Sequence, residues 1–380
     1  MKYRKFGKLD YQISALGFGC MRLPTFDNKP MSGNIDEEQS IRLIRSAIDR
    51  GVNYIDTAYP YHNGNSEIVT GKALGDGYRQ RVKLATKSPL WFITGPDDFD
   101  KFLNEQLKKL QTDHIDFYLM HGLDDEKWKN VVLKCDLLKK AEGAIKDGRI
   151  NHLGFSFHDK HESFNQIVDG YDKWDFCQLQ YNYMDTMNQA GTEGLRYASS
   201  KGLAVIVMEP LLGGRLANPP EQVSRIIKDY NIQRSAAQWA LQWVWNQPGV
   251  TAVLSGMNSM QQLDENLQSA QALSDQPLSP QDLAFIAHLR ETFLSRATIP
   301  CTKCGYCLPC PQGIDIPRVL ELYNNGIMYD DMSASQFIYK RFFTEAQRAS
   351  ACAQCGQCEQ KCPQKIKIST MMPIIDEKLK

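Results

Sequence analysis

Long apolar runs are missing from this sequence. The longest that can be trusted, Leu203 to Met208, falls far short of the ~20 residues that a membrane-spanning helix needs. The opening stretch Met1-Lys-Tyr-Arg-Lys-Phe-Gly7 lacks the apolar core of a secretory signal, so a cytoplasmic protein with no membrane role is expected. An excess of either charge is missing too. Lys+Arg and Asp+Glu both total 44, which gives no reason to expect nucleic acid or an anionic membrane as partner. Low-complexity tracts and repeats are absent beyond a regular alternation of short apolar and amphipathic stretches. What remains is an ordinary globular composition, 42% hydrophobic and 23% charged, over 380 residues. That length favours one large domain and one small one.

From Met1 to about Ala297 the alternation sets the fold. Candidate strands are Ala15–Gly19, Asn53–Ala58, Val82–Lys87, Ile115–His121, Asn151–Phe157, Phe176–Asn182, Leu203–Pro210 and Val250–Gly256. Helical stretches such as Glu37–Arg50, Phe99–Leu110, Trp128–Lys146, Gln189–Lys201 and Ala236–Asn246 lie between them. In the first helix Ile41, Ile44 and Ile48 recur at spacings of three and four, the mark of one buried stripe. Leu203–Met208 is apolar throughout, so both faces of that strand are covered. Eight strand–helix units predict an α/β fold, a (β/α)8 barrel, closed and capped by Gln261–Leu273 and Pro280–Ser295. An open doubly wound sheet is the rival. Eight units, and no G-x-G-x-x-G after the first strand, count against it. Pro, Ser and Asp gather around Gln276–Pro280, but helix resumes at once, so the boundary is placed at Ser295–Pro300. The domains are then a barrel over 1–297 and a small, mainly helical domain over 298–380. In the latter Ile316–Tyr339 and Phe342–Ala351 read as helical, with Asn325-Gly326 as a turn.

Eleven cysteines with no export signal point to metal rather than disulfides. Eight fall in two runs, each closed by proline: Cys301, Cys304, Cys307, Cys310-Pro311 and Cys352, Cys355, Cys358, Cys362-Pro363. The second, C-x2-C-x2-C-x3-C-P, is the run that holds iron–sulfur clusters in bacterial two-cluster ferredoxins, where the fourth cysteine of each run reaches the other cluster. The first run is one residue shorter before its last cysteine. Two [4Fe–4S] clusters on these eight thiolates are expected, in a ferredoxin-like tail; a pair of zinc sites is the alternative, and runs of four ending Cys-Pro fit it less well. Cys20, Cys135 and Cys177 have no partner at metal spacing and read as small buried hydrophobes, with Cys20 the one placed to approach a cofactor.

In a barrel, catalytic groups sit at the C-terminal ends of strands. Those ends carry Asp56, Lys87 and His121, with Tyr61 in the loop after Asp56. A charged Lys and a charged Asp ending neighbouring strands are costly unless paired. Paired, Asp56 holds Lys87 charged, and an ammonium beside the Tyr61 oxygen lowers the phenol's pKa from ~10 and makes it a proton donor. His121 orients a substrate carbonyl or assists the proton transfer. His62, His158, His161, Trp91 and Phe92 read as loop residues that either touch substrate or simply face solvent.

Three segments, Asp56-Thr-Ala-Tyr-Pro-Tyr61, Leu84-Ala-Thr-Lys87-Ser-Pro and Asp116-Phe-Tyr-Leu-Met-His121, resemble the catalytic motifs of the aldo-keto reductases. Leu16-Gly-Phe-Gly-Cys-Met-Arg22, and Gly64 to Glu67 followed by Gly71, are similar to that family's pattern as well. The resemblance covers about the first 295 residues and implies a (β/α)8 barrel with NAD(P)H-dependent interconversion of a small carbonyl and its alcohol. It implies that Tyr61 protonates the carbonyl oxygen as hydride reaches the carbon. Cofactor contacts are implied at Gly19, Met21, Arg22 and Asp56; at Ser156 and Gln178, holding the nicotinamide carboxamide; at Met208, beneath the ring; and along Pro210-Leu211-Leu-Gly213-Gly214 for the pyrophosphate. Ser255, Gly256, Met257, Asn258, Gln262, Glu265 and Asn266 match the segment that grips the adenosine end.

Three departures bear on function. Gly256 and Gln262 stand where NADPH-preferring members carry Lys and Arg, which leaves NADPH versus NADH open. Met208 replaces a stacking aromatic ring, and the cluster domain replaces the family's C-terminal substrate loop. Together the halves resemble a prokaryotic, ferredoxin-type iron–sulfur subgroup. Hydride carries two electrons whereas a cluster carries one, so exchange between them needs an intermediary such as a flavin, for which the sequence has no fingerprint. The tail is expected to pass electrons to or from a redox partner protein, with redox sensing and a purely structural role as the alternatives. The alternative is an electron-transfer or redox-sensing protein whose barrel binds nucleotide or flavin without reducing carbonyls.

Overall fold

The computed structural model describes residues 1–273 and 277–380. They divide into two compact units, Met1–Gly213 with Ala237–Ser279, and Gly214–Ala236 with Pro280–Lys380. The first opens on an antiparallel hairpin, β1 (Tyr3–Lys5) and β2 (Gln12–Ser14). Eight parallel strands follow: β3 (Leu16–Gly19), β4 (Tyr54–Asp56), β5 (Lys83–Ser88), β6 (Ile115–Leu123), β7 (Ile150–Phe157), β8 (Phe176–Gln180), β9 (Ala204–Met208) and β10 (Val250–Ser255). They pair in chain order and β10 pairs back onto β3, closing the barrel. All eight expected strands are present, shifted by a residue or two at their ends.

The interior is filled by side chains. Phe6, just after β1, stacks on Phe117 with ring centroids 4.4 Å apart, and with Ile13 joins Tyr54, Phe176, Ile206 and Leu254 in one apolar cluster. The hairpin is a structural addition that three-residue strands cannot announce through periodicity. On the outer face the helix Glu37–Asp49 buries Leu43, Ile44, Ala47 and Ile48, and Asp36 caps it by accepting from the Gln39 amide at 3.0 Å. The expected helix Trp128–Lys146 is broken. A turn at Asp125–Lys127 runs into a wide π-turn at Trp128–Leu133, and Asp136, in the left-handed region at φ 52°, separates these from the helix Leu137–Lys146.

The second unit is helical. The helices Glu221–Asp229 and Pro280–Ser295 belong to this compact unit together with the cysteine-bearing tail. Gln276 lies outside the described residues. The helix Ile316–Met328 runs straight through Asn325-Gly326. Gly326 is there for close packing, since a Cβ on it would lie 2.7 Å from the Met332 sulfur, and the chain turns instead at Asp330, φ 50°. Asp331 then caps the helix Met332–Phe342. Phe342–Ala351, expected as helix, holds only single turns at Glu345–Gln347 and Ala349–Ala351. A final helix, Ile368–Leu379, packs Met372 and Ile375 against Val319, Leu320 and Tyr339. Among the described residues no helix is long and apolar enough to cross a membrane.

Candidate functional site

Three neighbouring barrel strands carry a chemically useful residue at or near their C-terminal ends. Asp56 closes β4, Lys87 precedes the last residue of β5, and His121 lies near the end of β6. Lys87 is fully buried. Its Nζ donates to Asp56 Oδ1 at 2.6 Å and to the Thr57 carbonyl at 2.8 Å, and lies 5.1 Å from the Tyr61 ring centre. Gln178, from β8, donates to the other Asp56 oxygen at 3.1 Å, which satisfies that carboxylate on both sides. For Lys87 burial favours the neutral amine, but Asp56 and Tyr61 outweigh it and hold the ammonium above its ordinary pKa.

Tyr61 departs from the expected direction. Burial pushes its phenol up, Lys87 pulls down, Asp56 and Glu209 push up again, and the net pKa is raised. Lys87 therefore limits the rise rather than producing a depressed phenol; at neutrality the hydroxyl keeps its proton, as a donor must.

His121 sits in a local irregularity. Met120 pairs with Phe155 but Leu123 pairs with Phe157, and Gly122 between them adopts φ +62°. This bulge re-aims His121, whose ring meets Tyr61 edge-on at 5.9 Å and Trp91 at 4.8 Å. Burial first, then the Lys87 charge, drive its pKa well below the usual histidine value, so the ring is neutral. Its Nδ1 is buried without a partner among the described residues, a cost of about 1–3 kcal/mol that suits a site awaiting a polar ligand. Trp91 lies against Gly122, where a Cβ would sit 3.1 Å from the indole.

The residues expected around a dinucleotide are only partly gathered. Gly19 closes β3 against Ser255 and Gly256, and Ser156 and Gln178 are register partners on β7 and β8. The Ser156 hydroxyl accepts from the Gly122 amide at 2.8 Å, so in this state it supports the bulge. Met208 closes β9 half-buried, Pro210 behind it is buried, and Leu211 packs on the core. Arg22, following Met21, lays its stem on Gly256 and its guanidinium against Gly213. Asn266 donates to Ser255 at 2.9 Å and both are buried; Met257 is buried too. Asn258 and Gln262 are exposed and bond each other, and Glu265 lies on the same helix, Met260–Gln271. Cys20 is buried with its thiol pushed up to about 12, chiefly by burial, and Cys177 is buried as expected. His62 is buried, bonded to the Ser32 carbonyl at 2.7 Å.

Two groups escaped the sequence reading. Behind Lys87, Gln106 donates to Glu67 at 2.6 Å, to Thr86 at 3.2 Å and to the Lys87 carbonyl at 3.0 Å, while Tyr118 donates to Gln106 at 2.7 Å. The signal was there: Gln106 occupies the buried stripe Phe99, Phe102, Leu103, Gln106, Leu110, where an amide must be bonded to be tolerated. The other is Glu209, next to Met208, with its carboxylate 3.5 Å from Arg22.

In the second unit the cysteines surround two hollows. One is lined by Cys301, Cys304, Cys307 and Cys362. The other is lined by Cys310, Cys352, Cys355 and Cys358, with Cys307 on its wall as well. The first hollow thus takes three cysteines from the first run and one from the second, and the second takes three from the second run and two from the first, Cys307 being shared. Neighbour effects agree: after burial, Cys301 is raised by Cys304 and Cys362, and Cys358 by Glu359, Cys352 and Cys310. None of the eleven cysteines is joined in a disulfide. Among the described residues no three His, Cys, Asp or Glu stand together as they would around a single metal ion.

The sequence model of the Aldo/keto reductase family matches residues 15–290. The chain belongs to the aldo/keto reductase family. As a family member it carries an addition, for residues 300–366 match the 4Fe-4S dicluster domain. The uncharacterized oxidoreductase YqkF of Bacillus subtilis is 28% identical over 302 residues, spanning 72% of this chain and 92% of the relative. Among solved structures, the holo form of the aldo-keto reductase AKR11C1 from Bacillus halodurans aligns with TM-score 0.62 at 26% identity, over 76% of this chain and 96% of its own. An aldo/keto reductase from Klebsiella pneumoniae, in complex with NADP and acetate, aligns with TM-score 0.61 at 27% identity, over 76% and 95%. This aldo/keto reductase is an oxidoreductase with an iron–sulfur domain.

Proposed function

We propose that the barrel interconverts a small carbonyl compound and its alcohol with NAD(P)H, and that the tail exchanges single electrons with a redox partner protein through two [4Fe–4S] clusters. The observation that carries the first half is the convergence of Asp56, Lys87, Tyr61 and His121 on one end of the barrel. The nucleotide, when bound, supplies the hydride to the carbonyl carbon. Tyr61 gives its proton to the carbonyl oxygen, Lys87 stabilises the phenolate left behind, and Asp56 keeps Lys87 charged and in place. Neutral His121 offers a ring N–H to that oxygen without competing as an acid. Gly19, Met21, Arg22, Asp56, Ser156, Gln178, Met208, Pro210, Leu211, Gly213, Ser255, Gly256, Met257, Asn258, Gln262, Glu265 and Asn266 would hold the nucleotide. The eight cysteines of the tail would hold the clusters, crosswise between the runs.

The test uses anaerobically purified protein and Tyr61→Phe, with NADH and NADPH against simple aldehydes, quinones and dicarbonyls. Turnover in the wild type, lost in Tyr61→Phe with nucleotide binding intact, supports the reading. Turnover retained by Tyr61→Phe removes the phenol from the mechanism. Nucleotide binding with no turnover in the wild type favours the electron-transfer alternative. Iron and sulfide at about eight and eight per chain support two clusters; zinc without sulfide overturns them.

A further inference from the structure

Glu209 is an unusual residue to find directly after a barrel strand. It is not glycine, yet its backbone is left-handed at φ 54°. Its carbonyl is pinned there by the Asn182 side-chain amide at 3.1 Å and by the Leu212 amide at 3.0 Å. The turn delivers a carboxylate to the barrel mouth, 3.5 Å from Arg22 Nη2 and close to Gly213. Arg22 meanwhile bridges two loops. A Cβ on Gly256 would lie 3.2 Å from the Arg22 stem, and one on Gly213 would lie 3.1 Å from its guanidinium. Both partners are about one-third exposed, at 39% and 30%, so the ion pair is open to water and easily exchanged.

On the reading proposed above, the pyrophosphate of the dinucleotide runs along the same Pro210–Gly213 backbone and the nicotinamide lies over Met208. A pyrophosphate is a stronger partner for a guanidinium than a carboxylate held at 3.5 Å. It would take Arg22 and leave Glu209 without its cation, one residue from the ring site. The charge already reaches inward: it adds to burial in opposing ionisation of Tyr61, and it works against burial in favouring protonated His158.

We propose that Glu209 is a selector of nucleotide oxidation state. Bound to Arg22 in the free protein, it is released by the pyrophosphate and becomes the counter-ion of the positively charged, oxidised nicotinamide. The reduced ring is neutral and gains nothing from it. Two effects follow and they separate cleanly. Competition for Arg22 acts equally on both oxidation states, because both carry the same pyrophosphate, whereas the ring charge acts on one alone.

The experiment measures dissociation constants of NAD+, NADH, NADP+ and NADPH for the full-length protein by fluorescence titration, in the wild type, Glu209→Gln and Arg22→Met. Glu209→Gln should lower the preference for oxidised over reduced nucleotide by about five- to tenfold, the scale of one partly screened charge near the ring. Arg22→Met should weaken both forms together and leave their ratio in place. Glu209→Asn, which suits a left-handed backbone, supplies a second uncharged variant should Gln disturb the turn. An unchanged ratio in Glu209→Gln or Glu209→Asn overturns the proposal while leaving the function above intact. A wild type that binds none of the four nucleotides overturns both.

Discussion

Lys87 Nζ stands 2.6 Å from Asp56 Oδ1 inside a barrel where Lys87 has no solvent exposure of its own. Such a pair is weak evidence of stability, because desolvation cancels much of the attraction, but breaking it from one side strands a buried charge.

Asp56→Asn should therefore cost about 3–5 kcal/mol in denaturant unfolding and lower carbonyl turnover by about 10²–10⁴-fold. Asp56→Asn with Lys87→Met should recover much of the stability and none of the turnover. Urea midpoints and kcat for the single and double variants check this; a double variant as unstable as Asp56→Asn alone would count against the stranded-charge account.

The titration of the site has a sign that can be checked. His62, His121 and His158 all have folded pKa values lowered, each first by burial. The unfolded chain binds protons at about pH 6.5 that the folded chain refuses, so stability is full above that pH and falls as the pH drops through it toward the depressed folded values. The slope should reach about 1.4 kcal/mol per pH unit for each histidine whose pKa is lowered far enough. Denaturant midpoints from pH 7.5 to 5 measure it, and His121→Asn should flatten the slope. In the opposite direction, the raised Tyr61 pKa keeps reduction flat across neutrality, with any fall arriving only above the ordinary phenol range near ~10.

Gly122→Ala tests the bulge. Its φ of +62° and the 3.1 Å approach of Trp91 both oppose a side chain. The substitution should cost about 1–2 kcal/mol in backbone strain. It should also lower kcat/KM by at least tenfold by displacing Trp91 and His121. A variant that loses stability but keeps kcat/KM would show that the bulge serves the fold alone.

The crossed lining of the hollows makes a distinctive prediction. If the clusters are ligated as the hollows are lined, Cys362→Ala should disturb the cluster beside Cys301, Cys304 and Cys307, and Cys310→Ala the one beside Cys352, Cys355 and Cys358. Each variant should lose about half the iron, with different paramagnetic spectra remaining after reduction. Cys304→Ala decides the assignment: a residual spectrum matching that of Cys362→Ala supports the crossed lining, and one matching that of Cys310→Ala would mean that each run closes on itself.

The barrel was legible because each strand is a short apolar run and each run is followed by a helix. Asp56, Lys87 and His121 were legible for a related reason: a charged or ring-nitrogen residue that ends such a run stands out against its neighbours. Glu209 ends the same kind of run and went unread, because its meaning depends on Arg22, far away in sequence. Gln106 shows the same limit, since its four partners assemble only in the fold. The net direction of the Tyr61 pKa could not be had from charge signs alone; it turns on burial, which three dimensions decide. The π-turn after Trp128 hides because a widened turn leaves the apolar spacing almost unchanged, and Asn325-Gly326 misled because glycine serves packing as readily as turning.

The sharing of cysteines between the runs has a consequence for how the protein is made. Cys301, Cys304 and Cys307 leave the ribosome before Cys362, and their hollow lacks one wall until Cys362 has been synthesised. For that interval three thiols on an unfinished site are exposed to oxygen and stray metal. A cluster bound crosswise would therefore form only after Cys362 has been made, however early the first three thiols are in place.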